Sequence, residues 1–204
     1  EGPARDREPG IAGRRQAASL FAAAINVELG KLAMTGATVE IALEPLGDAR
    51  QGAQGLETVE LLVSTNPGQA HRPLARVASG GELSRISLAI QVVAARRSTI
   101  PTLVFDEIDG GSGGGTAAVV GQMLRELGRR GQVICVTHLP QVASCAHHHL
   151  VVAKILGAEG AETCLRALAD AERIDEIARM LGGRTPTRQT LDHAREMLVM
   201  SAAG

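Results

Sequence analysis

Two adjacent carboxylates, Asp106 and Glu107, follow a short apolar run and are suited to phosphate chemistry. The run Thr-Leu-Val-Phe over residues 102–105 predicts a buried strand, and side chains at a strand end alternate in direction. One carboxylate can therefore hold Mg²⁺, usually through water, while the other orients an attacking water. Phosphoryl transfer needs both roles, because positioning and charge neutralisation supply most of its catalysis. The alternative is a pair of solvated carboxylates at a turn, so the prediction depends on the residues around them.

A Ser-Gly-Gly turn, Ser79 to Gly81, lies upstream of the carboxylates. Its glycines let backbone N–H groups approach a phosphate, and a helix that begins there directs its positive end to the same place. Ser79 can donate one more hydrogen bond, and Glu82 lies in the first helical turn. The simpler interpretation is an ordinary helix N-cap. The chain contains no Gly-x-x-x-x-Gly-Lys-[Ser/Thr] segment, so the turn is not a P-loop.

A third candidate, His138, follows a second apolar run, Val-Ile-Cys-Val-Thr over residues 133–137. If the two runs are parallel strands, the side chains after them meet at one edge of the sheet. We therefore expect His138 near Asp106 and predict that it senses a γ-phosphate; the alternative is a hydrogen-bonded polar residue at a strand end. The adjacent histidines 147–149 are not spaced for one face, and we predict no metal site there.

The elements that must position these residues follow from hydrophobic periodicity and chain breakers. Residues 1–10 are rich in Gly, Pro and charge and predict a disordered lead-in. Residues 12–34 predict a helix, and the alternating segments 37–46 and 57–64 predict a hairpin. A helix is expected from Gly81 to about Arg97, with these apolar side chains on one face: Leu83, Ile86, Ile90 and Val93.

The second half alternates apolar strands with helices, which predicts an α/β fold with a parallel sheet covered on both faces. Its predicted elements are strand 102–106, a helix capped by Thr116, strand 132–137, a short helix after Pro140, strands 149–154 and 162–167, helix 170–181 capped by Asp170, and helix 187–200 starting near Thr187. Such sheets bind ligands beyond the carboxyl ends of their strands.

Composition gives no support to several classes of function. The 204 residues carry a net charge of −1 and 1% aromatic residues, so neither overall charge nor base stacking argues for nucleic-acid binding. The three arginine pairs, Arg14-Arg15, Arg96-Arg97 and Arg129-Arg130, are interpreted as solvated helix ends. Three cysteines without metal or disulfide spacing indicate a reducing cytoplasm, and no apolar run is long enough to span a membrane.

In this order the motifs resemble the ABC-type ATPase heads of the SMC class. They resemble more closely the C-terminal part of the RecN family of bacterial DNA double-strand-break repair proteins. The resemblance covers roughly residues 11–204 and is carried by the stretches 63–68, 74–85, 101–109, 116–121, 135–143, 177–183 and 190–198. The most specific segments are Ser-Gly-Gly-Glu-Leu-Ser-Arg from Ser79 and Thr-His-Leu-Pro-Gln-Val-Ala from Thr137.

The resemblance implies a fold and a mechanism. The fold is the C-terminal lobe of an SMC-like P-loop ATPase head, a parallel sheet flanked by helices. Residues 12–34 would end a coiled-coil arm, and residues 77–138 would hold the signature, Walker B, D-loop and H-loop. An N-terminal part of the same protein supplies Walker A, so this lobe alone would expose a strand edge and apolar surface. ATP lies between two heads, which close on binding and separate on hydrolysis, and DNA engagement is coupled to that cycle.

The resemblance also assigns residues. The implied roles are contact with the nucleotide of the opposite head for Ser79, Gly80, Gly81 and Glu82, Mg²⁺ binding for Asp106, activation of water for Glu107, γ-phosphate sensing for His138, and the start of the D-loop for Asp109. The D-loop departs from the family pattern Asp-Val-Gly-Ile-Ser-Gly, because residues 109–114 read Asp-Gly-Gly-Ser-Gly-Gly. Extra glycine costs conformational entropy on ordering, so we expect weaker coupling between heads or slower hydrolysis.

Two other functions remain compatible with the motifs. The nucleotide-binding subunit of a transporter should carry Walker A in the same domain, and transporters more often have Gln where this chain has Glu82. A non-catalytic interaction module would keep the fold and lose the site, and Glu107 with His138 argues against that. The expected protein is a cytoplasmic, nucleoid-associated ATPase that uses ATP and Mg²⁺. Its expected partners are a Walker A segment, a second head and DNA, with no membrane.

Overall fold

The computed structural model of the chain describes residues 7–47, 55–77, 79–97, 100–106, 114–157, 160–183 and 185–203. The chain divides into two compact units, Glu1–Thr99 and Ile100–Gly204, and each contains buried apolar side chains. Among the described residues, no helix is both long enough and apolar enough to cross a membrane.

The first unit combines two helices with a three-stranded antiparallel sheet. Its elements are α1 (Arg7–Lys31), β1 (Thr38–Pro45), β2 (Glu57–Ser64), β3 (Arg72–Pro73), a 3-10 turn (Leu74–Arg76) and α2 (Gly80–Ala95). β1 and β2 pair antiparallel, with Val39 opposite Val63, which confirms the predicted hairpin. Residues 7–10, which the composition assigned to a disordered lead-in, lie in α1.

Helix α1 packs against β1 and α2. Its buried positions follow helical spacing and are Ala22, Ile25, Glu28 and Leu29, and Leu32 is buried just after the helix ends. Asn26 fixes the helix to the first strand. Its side-chain amide accepts a hydrogen bond from the backbone N–H of Val39 at 2.7 Å and donates one to the carbonyl of the same residue at 3.2 Å.

Helix α2 buries a different face from the predicted one. Ile86 and Val93 are buried as expected, but Leu83 is 37% exposed and Ile90 is only partly buried. The buried set is Ile86, Leu88, Ala89, Val92 and Val93. Burial therefore begins in the second turn, and the first turn, which follows the Ser-Gly-Gly segment, stays accessible.

The second unit begins with a parallel strand pair and ends with two helices. Its elements are β4 (Thr102–Asp106), α3 (Gly114–Gly128), β5 (Gln132–Val136), α4 (Pro140–Ala143), β6 (Leu150–Gly157), β7 (Gly160–Ala167), α5 (Asp170–Gly182) and α6 (Arg188–Ala203). β4 and β5 are parallel. The strand predicted at 149–154 does not extend this pair; within the described ranges it forms the antiparallel hairpin β6–β7. A short connection between consecutive strands permits only antiparallel pairing.

Two predicted helix caps are wrong, and the predicted start of the last helix near Thr187 is confirmed. Thr116 lies inside α3, which begins at Gly114. Asp170 is the first residue of α5, and the preceding Ala169 donates its backbone N–H to the Glu172 carboxylate at 2.9 Å. Thr187 caps α6, because its hydroxyl accepts a hydrogen bond from the N–H of Thr190 at 3.2 Å.

One face of the parallel pair is covered and the other is open. Phe105 lies on the covered face and is 1% exposed. On the opposite face, Val104, Ile134 and Val136 are 64%, 44% and 55% exposed, because alternate residues of paired strands share a face. The prediction of a sheet covered on both faces is wrong for the described residues. The exposed apolar surface expected of an isolated C-terminal lobe is confirmed.

Candidate functional site

Asp106 and His138 lie at the same edge of the parallel pair, as the sequence predicted. The strands are in register from Thr102 opposite Gln132 to Asp106 opposite Val136. Asp106 is the last residue of β4, and His138 follows the end of β5 after one intervening threonine. Both side chains are exposed. The carboxyl edge of a parallel sheet is where α/β folds bind ligands, so this edge can receive one.

The turn after β5 is held by its own hydrogen bonds. The Thr137 hydroxyl accepts one from the backbone N–H of Leu139 at 3.0 Å. The Leu139 carbonyl then accepts from Val142 and Ala143, each at 3.1 Å. Pro140 takes the first helical position of α4, where a missing N–H leaves no lost bond. These contacts position the imidazole of His138 at the sheet edge, open to solvent.

The Ser-Gly-Gly segment caps α2. Ser79 has extended backbone angles, and its hydroxyl oxygen accepts a hydrogen bond from the N–H of Glu82 at 3.4 Å. Its hydroxyl proton remains available to donate. The Ser84 hydroxyl donates to the carbonyl of Gly80 at 3.0 Å, which reinforces the first turn. The N-terminal N–H groups of α2 and the positive end of its dipole thus face the space ahead of the helix.

Gly80 has no structural requirement to be glycine. A Cβ added there would meet nothing within 4 Å, and its φ is not positive. Neither backbone strain nor packing against the described residues therefore explains this residue. Close approach by a group from outside the chain would explain it, because a side chain at this position would keep that group from the helix N-terminus.

The candidate residues fall into three groups. Ser79, Gly80, Gly81 and Glu82 belong to the first unit, and Asp106 and His138 belong to the second. Glu107 and Asp109, together with the rest of the predicted D-loop through residue 113, lie outside the described residues. Within the described ranges, no three His, Cys, Asp or Glu side chains converge as they would around a metal ion.

Sequence reasoning missed a buried carboxylate that links the two helices of the first unit. The Glu28 side chain on α1 is 2% exposed and receives two cations: Arg96, at the end of α2, lies 2.7 Å away, and Lys31 lies 3.0 Å away. The available signal was a glutamate among the apolar positions of a helix, at the spacing of Ile25 and Leu32. A carboxylate at such a position needs paired charges, because an isolated buried charge is strongly destabilising.

Bacterial proteins with similar sequences are named DNA repair protein RecN. The chain is 50% identical over 175 residues to the DNA repair protein RecN of Vibrio cholerae, a match that covers 86% of this chain and 31% of that protein. It is 47% identical over 187 residues to DNA repair protein RecN of Haemophilus influenzae, covering 92% of this chain and 33% of that one. The chain thus spans about a third of the length of the curated relatives it matches. No protein-family profile matches the chain.

Solved structures with a similar fold are SMC heads. The chain superposes with a TM-score of 0.64 and 19% identity on the Smc head domain with a coiled coil and joint from Pyrococcus yayanosii, covering 85% of this chain and 31% of that one. A second structure, from a study of ATP-driven dimerization and DNA-stimulated activation of SMC ATPases, gives a TM-score of 0.58 at 16% identity, covering 86% of this chain and 99% of that one. The fold is therefore that of an SMC-like ATPase head, as the sequence predicted.

Proposed function

Because the chain belongs with the RecN family of DNA repair proteins, as a segment that spans about a third of their length, we propose that it is part of an ATPase head acting in the repair of DNA double-strand breaks. The observation that carries the proposal is the placement of Asp106 and His138 at one carboxyl edge of a parallel strand pair, within an SMC-head fold. An aspartate and a histidine at that edge suit a bound Mg²⁺–nucleotide.

Different residues of the chain would have separate roles in ATP hydrolysis. Asp106 would hold Mg²⁺, whose charge offsets the charge that develops on the transferring phosphate. Glu107 would accept a proton from the attacking water and orient it. His138 would donate a hydrogen bond to the γ-phosphate from the turn that Thr137 holds in place. Asp109 would start the loop that passes between heads.

The cap of α2 would serve a different nucleotide from the one held by Asp106. Ser79, Gly80 and Gly81 would contact the phosphates bound to an opposite head, with Glu82 in the same first turn. The open space beside Gly80 supports this role, because no group of the described residues fills it. Two heads would then enclose two nucleotides, as closed two-fold symmetry requires.

The loop that binds the phosphates of the nucleotide held by Asp106 would come from a Walker A segment elsewhere in the same protein. The open face at Val104, Ile134 and Val136 supports this, because an exposed apolar strand face in a folded unit calls for a covering partner. A second head and DNA complete the partners. The protein would act in the cytoplasm, at the nucleoid, and the extended α1 would continue into a coiled-coil arm.

The transporter alternative is not favoured by any observation, since the relatives that the chain matches are named as DNA repair proteins. A measurement of ATP hydrolysis distinguishes the proposed ATPase from a non-catalytic module. We expect no ATP hydrolysis by this chain alone and measurable hydrolysis after mixing with a RecN-type segment that carries Walker A. Glu107→Gln should abolish that activity while leaving the far-UV circular dichroism unchanged. A folded mixture that does not hydrolyse ATP would overturn the proposal in favour of a non-catalytic module.

A further inference from the structure

Arg85 on α2 is a charged side chain on the buried face of its helix. Leu88, Ala89 and Val92 follow it at helical spacing and are all buried, so they share one face with Arg85. Arg85 is partly buried as a residue, and its Nε atom is fully buried and has no hydrogen-bond partner. An atom in this state lowers stability, because it has lost its hydration without gaining a hydrogen bond.

Other arginines with buried groups have partners. Arg96 lies on the same face as Arg85, about three helical turns later, and donates to the buried Glu28 carboxylate at 2.7 Å. Arg125 and Arg173 each have an unpartnered, buried Nε, but their terminal nitrogens donate to backbone carbonyls. For Arg85, the described part of the chain supplies neither a carboxylate nor a carbonyl.

A carboxylate is present one turn before Arg85, yet the two are not paired. Glu82 lies at the spacing at which opposite charges become neighbours on a helix surface. The structure describes both side chains and shows no ion pair between them. Arg85 is therefore a core-facing cation whose charge is not neutralised by the nearby glutamate.

The position of Arg85 directs its guanidinium toward the start of α2. Cα–Cβ bonds of a helix tilt toward its N-terminus, so a long side chain covers the turn that precedes its own Cα. That turn contains Gly81, four residues earlier, which has no side chain to occupy the surface. The guanidinium thus approaches the end of the helix that Ser79 caps.

A cation at this end of a helix adds to an existing positive field. The first N–H groups of a helix carry partial positive charge, which favours anions and disfavours an unpaired arginine. An anion bound ahead of α2 would interact with the guanidinium, the N–H groups and the Ser79 hydroxyl together. The planar fork of a guanidinium matches two oxygens of one phosphate, which favours a phosphate ligand.

We propose that Arg85 is a further phosphate-binding residue, which contacts the terminal phosphates of the ATP held by the opposite head. This inference rests on the proposed function, in which Ser79, Gly80 and Gly81 meet that nucleotide. It adds a full positive charge to a contact otherwise made by N–H groups and one hydroxyl. Charge stabilisation of the transferring phosphate supplies much of its catalysis, which accounts for an arginine at a position where it lowers the stability of the free chain.

The first test separates ligand binding from folding. Arg85→Met keeps an apolar stem and removes the charge together with the buried Nε. In urea unfolding of the full chain, followed by far-UV circular dichroism, its midpoint should equal or exceed that of the unmutated chain. The matched variant Arg96→Met, on the same face, should lower the midpoint, because it leaves Glu28 with one cation. A midpoint lowered as much by Arg85→Met as by Arg96→Met would overturn the inference, since Arg85 would then stabilise the fold itself.

The second test measures ATP hydrolysis by heads reconstituted with the Walker A segment. Arg85→Met should lower the rate about a hundredfold, the loss expected when one donor to a developing charge is removed. Arg97→Met, which removes an exposed arginine just beyond the other end of α2, should leave the rate unchanged. An equal mixture of Arg85→Met and Glu107→Gln should recover about a quarter of the unmutated rate, because half of randomly formed dimers are mixed and each has one intact site.

The outcomes distinguish this inference from the proposed function. An unchanged rate for Arg85→Met, with Glu107→Gln inactive, would refute the inference and leave the ATPase proposal standing. No recovery in the mixture would also refute it, because Arg85 would then act within its own head.

Association of heads, measured by sedimentation at increasing ATP concentration, tests Arg85 without hydrolysis. Arg85→Met should raise the ATP concentration that drives association by about tenfold or more, since one charge-assisted hydrogen bond is lost. This result from heads that do not hydrolyse ATP would refute only the ATPase proposal. Equal ATP dependence in Arg85→Met and unmutated heads, or no association with ATP, would refute the role of Arg85.

Discussion

Replacing Arg96 by alanine would leave Glu28, a deeply buried carboxylate of the first unit, with one cation instead of two. The Glu28 side chain is 2% exposed, whereas its partners Arg96 and Lys31 are 35% and 48% exposed. Removing one partner of a fully buried ion pair costs about 3–5 kcal/mol. Since Lys31 remains and Arg96 is partly solvated, we expect Arg96→Ala to lower the free energy of unfolding by about 2 kcal/mol.

The matched control for this change is Arg97→Ala, the next residue along the chain. Its side chain is exposed and should change the free energy of unfolding by less than about 0.5 kcal/mol. Glu28→Gln removes the charge that Arg96 neutralises. The double variant Glu28→Gln/Arg96→Ala should therefore be less destabilised than the sum of the single variants, by about 1–2 kcal/mol.

The assay is urea unfolding followed by far-UV circular dichroism, because the chain has no Trp or Tyr to report by fluorescence. The midpoint should fall for Arg96→Ala while the slope stays constant, which shows that the native state and not the denatured state has changed. Equal midpoints for Arg96→Ala and Arg97→Ala would refute the reasoning, since Glu28 would then be stabilised without its α2 partner. Additivity of the double variant would refute the pairing itself.

Two further predictions concern the second unit. A Cβ added at Gly121 would lie 2.7 Å from the Cys145 sulfur, so Gly121→Ala should push α3 away from the segment that follows α4. Thermal unfolding should show a free energy of unfolding lower by about 1–3 kcal/mol. Gly115→Ala, where a Cβ meets nothing within 4 Å, should instead stabilise the helix by about 0.5–1 kcal/mol, and the two variants having the same sign would contradict this. Burial and the charge of Arg173 lower the pKa of His149, against the raising effect of Glu176. When a histidine has a lower pKa in the folded state than in the unfolded state, its contribution to stability is complete at a pH above its unfolded pKa of about 6.5. That contribution is lost as the pH falls from this value through the folded pKa, because the unfolded state binds the proton more readily. His149→Gln should therefore make the free energy of unfolding decline less steeply just below about pH 6.5. An unchanged pH profile in His149→Gln would show that the burial of this imidazole has no effect on stability.

The sequence predicted elements where a local pattern decides the structure. The hairpin of β1 and β2 follows from strict alternation, and the strands β4 and β5 follow from continuous apolar runs. Because both strands are parallel, the positions of Asp106 and His138 at one edge could also be predicted. The Ser-Gly-Gly cap of α2 was equally visible, since the residue types at a helix start are specific.

Other features depend on tertiary contacts that no local pattern contains. Strand β6 looks like a third parallel strand, yet it pairs with β7 because only a short connection separates the two strands in the chain. Leu83 has the spacing of a core residue, but it is 37% exposed, and its exposure depends on tertiary packing that periodicity does not show. The pairing of Glu28 with Arg96 joins residues from two helices and becomes visible only when both are placed.

We propose that Ser79 of one head and Glu107 of another act on the same ATP. The direct test is hydrolysis by heads reconstituted with the Walker A segment, comparing Ser79→Arg alone, Glu107→Gln alone, and an equal mixture of the two. Each variant alone should be inactive. The mixture should recover about a quarter of the unmutated rate, because half of randomly formed two-fold dimers are mixed and each has one intact site. An inactive mixture, with dimers still forming, would contradict the account, since it would place both residues at one site within a single head.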